Sequence, residues 1–217
     1  MKILLLGLLT AVFALPAHGQ GDPVLRMDYS NPGLTPSRWT LTLHLDGSGH
    51  FYARRGSSTA EPPLAMEPES VDREVRLNEQ FARQVFDTVR HQHFLNAKCE
   101  SHLKVAFQGW KKISYSGPDG QGSCEFNYSR NKEIQQLGES LVAVASTILE
   151  GARLELLLQH DPLGLDKEME FIVESAGDGR LQQICAIRGI LERLDGDPAV
   201  LDRVRKRARK LLAQSEK

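Results

Sequence analysis

Trp39-Thr40-Leu41-Thr42-Leu43-His44-Leu45, then Asp46-Gly47-Ser48-Gly49, then Phe51-Tyr52-Ala53, is the stretch that decides the fold. Apolar Trp39, Leu41, Leu43 and Leu45 alternate with Thr40, Thr42 and His44, which places one apolar face on a half-buried strand. Asp46 to Gly49 supplies residues that tolerate positive φ, and the extended pattern resumes at Phe51, so the whole reads as a β-hairpin.

Downstream, Gly56 to Pro68 is a Ser/Pro-rich loop and Val71 to Leu77 a short strand. Asn78 is placed to cap a helix whose Phe81, Val85, Phe86 and Val89 follow the helical repeat. A second β unit follows. Val105 and Phe107 lie on one run, Ile113 and Tyr115 on the next, and Gly117 to Gly122 turns the chain into Cys124 to Tyr128. Alternation throughout predicts antiparallel strands with one solvated sheet face, an α+β class with a helix on the other face.

Aromatic residues crowd the chain before Asn131, and Phe171 is the only one after it. A structural boundary is therefore expected near Ser129, with an α+β unit over 38–130 and a helical region over 131–217. The stripe Ile134, Leu137, Leu141, Ala145, Ile148 and Ala152 predicts a long helix that breaks at Gly151. Further helices fit Asp166 to Ala176, Leu181 to Leu194 and Pro198 to Leu212. Gly196 ends one, Asp197 caps the next and Pro198 takes its first position, so short connections predict a small C-terminal helical bundle.

Upstream, Gln20 to Ser37 carries Gly21, Pro23, Pro32, Gly33 and Pro36, and reads as an extended lead-in. Before it stand Lys2, an apolar run from Ile3 to Ala14 and the small-residue stretch ending at Gly19. Such a run is too short to span a bilayer and has the form of a secretory signal peptide over 1–19, cleaved near Gly19. No cysteine stands at the cleavage point to take a lipid. The expected product is a secreted or periplasmic chain of about 198 residues without a transmembrane segment, large enough for a proper core. Cleavage removes one cation, Lys2, so the formal charge moves from -1 to -2. Nucleic-acid binders carry a strongly basic domain, and that class is excluded.

Export favours oxidation, so Cys99 and Cys124 are expected to form a disulfide; two unpaired buried thiols are the alternative. Cys185, among Ile184, Ile187, Ile190 and Leu191, reads as a buried small apolar side chain, with an intermolecular bridge as the alternative. His91, His93 and His102, with Cys99, form the densest set of possible metal ligands. No complete zinc pattern is present, however, and a polar helix end accounts for the same residues. Ser129-Arg130-Asn131-Lys132 matches a Ser-x-x-Lys element but lacks its companion motifs, and helix capping explains it. No phosphate-loop, dinucleotide or zinc-protease motif occurs, and no cofactor is implied. Asp195-Gly196-Asp197 lacks the later positions of a calcium loop. Asn127-Tyr128-Ser129 fits a glycosylation acceptor.

The last helix is the sharpest charge feature. Arg203, Arg205, Lys206, Arg207, Arg209 and Lys210 put six cations in eight residues opposite an apolar face. They make either a solvated face or an attachment to an envelope protein or anionic surface.

The succession Leu41 to Gly47, a helix ending at Phe94, Cys99, Ile113 to Gly117 and Cys124 resembles a small domain family of unknown function in exported bacterial proteins, over about residues 38 to 150. The resemblance implies a bacterial envelope setting and no activity. The helices after Gly151 look like HEAT-type pairs without a repeat long enough for a solenoid. The expectation is an exported, non-enzymatic binding or structural module. Its rival is a hydrolase or metal-dependent enzyme using His91, His93, His102 or Ser129.

Overall fold

The computed structural model describes residues 21–55 and 67–215. The segment 1–19, expected to be a signal peptide, and most of the Ser/Pro-rich loop lie outside the described residues. The hairpin that decides the fold is present: β2 (Arg38–His44) pairs antiparallel with β3 (Ser48–Arg54), Leu41 opposite Phe51. At the turn Gly47 adopts φ +81, and a side chain there would collide with the backbone carbonyl of Leu77. Only glycine serves that position.

The segment read as a lead-in contains a strand. β1 (Val24–Ser30) buries Leu25, Met27 and Tyr29 in alternation and lies in the middle of the sheet. It pairs with β2 on one side and with β5 (Trp110–Gly117) on the other. With β4 (Ser70–Arg76) and β6 (Gly120–Phe126), the sheet has six antiparallel strands in the order β4-β3-β2-β1-β5-β6. The apolar alternation was there, hidden by the prolines and glycines that flank it. Val105 and Phe107 do not extend the sheet. They belong to no strand; residues 102–109 form an irregular segment tied down by backbone and Asn127 contacts, with both side chains exposed.

Helix α1 (Glu79–His91) starts where the Asn78 side chain accepts from the amides of Gln80 and Phe81. Its Ala82, Val85, Phe86 and Val89 lie buried against the sheet. Full burial of an aromatic such as Phe86 contributes about 2 kcal/mol. Cys99 and Cys124 form a disulfide that ties the chain after α1 to β6, with a sequence separation of 25. Closing a loop of that size is worth about 3 kcal/mol.

Helix α2 (Lys132–His160) runs unbroken for 29 residues, capped by Asn131 through the amides of Glu133 and Ile134. The expected break at Gly151 is absent. Up to Ala152 its apolar residues join the core under the sheet; Leu154 and Leu157 belong to a second core with α3 (Leu165–Gly177), α4 (Arg188–Gly196) and α5 (Asp202–Gln214). The two cores thus divide inside α2, well past Asn131. The helix expected from Leu181 is shorter, because Gln183 takes a left-handed conformation and a single 3-10 turn, Ile184–Ile187, precedes α4. Residues 197–200 form a turn closed by the Asp197 side chain on the Ala199 amide, so α5 begins later than Pro198.

Gly151 sits where this 3-10 turn crosses α2. A β-carbon there would overlap Cγ2 of Ile187. In an exposed helix Gly→Ala gains about 1 kcal/mol. Here Gly151→Ala is expected to cost about 1–3 kcal/mol through overpacking, measured by urea denaturation; a stabilised variant would contradict the packing described.

Candidate ligand-binding cleft

The helices cover one face of the sheet, and the other face is open. Because side chains alternate, every second register position sends one residue per strand to that face. At the end of the sheet where β1 stops and β2 starts, the rung reads Ser70, Arg54, Arg38, Ser30 and Trp110 across β4, β3, β2, β1 and β5. The next rung reads Asp72, Tyr52, Thr40, Asp28, Lys112 and Glu125. Together they shape a cavity of about 490 Å³ lined by Arg38, Arg54, Arg55, Tyr52, Trp110 and Lys112, among others. That volume lies in the range of small-molecule sites.

Small Ser30 and Thr40 keep the floor low between larger walls. Tyr52 and Trp110 stay 42% and 41% exposed, so their ring faces are available for stacking. Below them, buried Tyr29 stacks on Trp39 at 4.9 Å and donates its hydroxyl to the Gln108 carbonyl at 2.8 Å, which fixes that end of the sheet.

The charges are unevenly satisfied. Asp28 accepts from Arg26 at 2.7 Å and from Thr40 at 2.7 Å. Its partial burial raises the carboxyl pKa; the Arg26 and Thr40 hydrogen bonds, with the charges of Arg26 and Lys112, outweigh this and hold it below the usual range. Arg38 and Arg54 are different. They face each other directly across β2 and β3, and among the described residues neither makes an ion pair. Like charges at opposed positions destabilise a sheet. An anion between them converts that repulsion into a two-pronged site, since guanidinium groups bind carboxylate or phosphate oxygens through paired N–H donors.

Arg55 lines both this cavity and a smaller one, about 60 Å³, between the sheet end and α2. There Glu150 lies close to Glu168 and Arg153, with Arg153 Nε 3.1 Å from Glu168 Oε2. Burial, then the hydrogen bond and charge of Glu168, push the Glu150 carboxyl up to about 8, against the opposing charge of Arg153.

The residues singled out from sequence fall elsewhere. His91, His93 and His102 are all exposed and do not gather, and Cys99 is oxidised; no group of three or more metal-capable side chains exists among the described residues. Ser129 is buried in the turn before α2, where its hydroxyl accepts from the Asn131 amide at 3.3 Å, a capping arrangement. Asn127 is occupied by the Gln108 amide and the Ala106 carbonyl. Most of the cations of α5 have partners, although Arg203, Lys206 and Arg209 stay exposed. Arg203 and Arg207 both reach Asp166 of α3; Arg209 reaches the Asp195 carboxylate, Arg205 the Asp195 carbonyl and Lys206 its own Asp202, while Lys210 is exposed. Five of the six cations thus serve to dock or support α5.

No known family model and no curated protein matches the chain.

Between the ordinary glutamate pKa of 4.5 and about 8, the folded chain keeps a proton on Glu150 that the unfolded chain has released, so stability falls as pH rises through that window. Glu150→Gln keeps the shape and the donor without the titration. It is expected to be more stable than the unsubstituted protein by about 2 kcal/mol above pH 8 and to lose that advantage near pH 4.5, checked by thermal melts across pH; a pH-independent difference would contradict the raised pKa of Glu150.

Proposed function

We propose that this chain is an exported, non-enzymatic binding module of the bacterial envelope that holds an anionic group in the cleft on the open sheet face. The opposed pair Arg38 and Arg54, unpaired among the described residues, carries the proposal. Two adjoining cations left without carboxylates lower the stability of the sheet, and a ligand that neutralises them recovers it. Export and the bacterial setting rest on the leader at 1–19 and on the family resemblance over about residues 38 to 150. No helix among the described residues is long and apolar enough to cross a membrane.

A stacking wall beside a guanidinium pair suits ligands that join a flat or apolar group to a phosphate or carboxylate. Asp28 and Thr40 beside them already hydrogen-bond each other, which preorganises the floor. The rival reading, a hydrolase or metal-dependent enzyme, draws on His91, His93, His102 and Ser129, which occupy separate exposed and capping positions.

Arg54→Thr tests the cleft in two ways. Without ligand and at low salt it is expected to gain about 0.5 kcal/mol by relieving repulsion, a gain that fades at high salt. Added inorganic phosphate is expected to raise the melting temperature of the unsubstituted protein and not of the variant. Equal phosphate protection of both proteins would overturn the proposal.

A further inference from the structure

The end of the sheet that carries the arginine rung also carries most of the exposed apolar bulk. Leu103, Val105, Phe107 and Trp110 are 44%, 40%, 49% and 41% exposed, all within eight residues, and Leu34, at the β1–β2 connection of the same end, is 50% exposed. Three large apolar side chains on the irregular segment and a fourth at the start of β5 are unlike singly scattered surface residues, and such concentrations mark contact surfaces. The segment is held firmly: Glu100 accepts from the amides of Asn127 at 2.6 Å and His102 at 2.9 Å, and Gln108 donates to Asn127 at 2.6 Å. Its apolar groups are thus fixed outward at a cost in hydration.

Continuity with the cleft identifies what covers them. The Phe107 ring meets the Trp110 ring edge-on at 6.3 Å, and Trp110 is a wall of the cleft. Exposed cations surround the ridge: Lys104 within it, Lys112 beside Trp110, and Arg38 and Arg54 along the rung, against the exposed carboxylates Glu69 and Glu125, with Asp28 and Asp72 already paired to Arg26 and His50. A chain of net charge near zero thereby presents a locally cationic, locally apolar end. Apolar groups flanked by aromatics and lysines match the bilayer interface, where ring and aliphatic groups enter the acyl boundary and cations meet anionic headgroups.

We propose that this end docks on an anionic lipid bilayer, with Leu103, Val105, Phe107 and Trp110 entering the interface and the Arg38–Arg54 pair taking a headgroup phosphate. The proposal rests on the cleft as an anion site and names the source of the anion. It also moves the anionic-surface contact away from α5, whose cations are mostly spent on Asp166, Asp195 and Asp202.

The chain has two tryptophans, buried Trp39 and exposed Trp110, so a change in emission on docking reports on Trp110. The mature chain is mixed with phosphatidylcholine vesicles with or without phosphatidylglycerol, and recovery with the vesicles is measured alongside tryptophan emission. A blue shift and recovery on the anionic vesicles alone are expected. Because Val105 and Phe107 are exposed, Val105→Ser with Phe107→Ser leaves the core intact; it is expected to weaken vesicle binding by about tenfold or more while phosphate still raises the melting temperature. Arg38→Ala with Arg54→Ala is expected to lose both responses. Unchanged vesicle binding by the serine variant, equal recovery on neutral vesicles, or phosphate protection with no vesicle binding would overturn the docking and leave the cleft standing. A dimer broken by the serine variant, with no vesicle binding, would assign the ridge to a second copy of the chain and overturn the proposal. Absence of both responses in the unsubstituted protein would overturn the cleft as well.

Discussion

Everything in this molecule depends on β1 finding partners on both edges. Val24–Ser30 pairs with β2 through one row of backbone groups and with β5 through the other. Without it the β2–β3–β4 unit and the β5–β6 hairpin would be separate pieces, each too small to bury its apolar face. With it they form one sheet, broad enough for α1 and the first half of α2 to cover. The rung of Arg54, Arg38, Ser30 and Trp110 exists only because β1 stands between β2 and β5, so the pairing that makes the core also makes the cleft.

Helix α2 extends that dependence to the rest of the chain. Its first part packs under the sheet and its last turns belong to the helical core, with no flexible joint between them. Arg73 adds a second tie: it lies on the covered side of β4 and reaches Glu155 through contacts of 3.2 and 2.8 Å. Two cores sharing one rigid helix are expected to lose structure together, even though the sequence composition changes sharply near Asn131.

Much of this was legible beforehand, for physical reasons that differ by element. The β2–β3 hairpin and α1 were clear because local signals agree: alternation with a positive-φ turn in one, an Asn cap with helical spacing in the other. β1 was obscured by flanking prolines and glycines, which speak about the ends of a seven-residue strand and not its interior. At Val105 and Phe107 the same alternation misled, since a pattern of two records sidedness and says nothing about whether a neighbouring strand is present. The cleft was half visible. A hairpin in which Leu41 meets Phe51 necessarily sets Arg38 against Arg54, but Trp110 joins them only through β1. The cations of α5 were conspicuous in sequence, whereas their acidic partners on α3 and α4 are visible only once the helices are packed.

Cys185 bears on how the bridge between Cys99 and Cys124 is kept. Half buried beside the start of α1, its thiol pKa is raised by burial, so little of it is thiolate at neutral pH. Exchange requires a thiolate that can attack along the sulfur–sulfur axis, and this one is scarce and screened. An odd cysteine is ordinarily a hazard during oxidative folding, because it offers three possible pairings where one is wanted. Held in this state after folding, Cys185 is a poor attacker, and the single bridge between Cys99 and Cys124 is kept from scrambling.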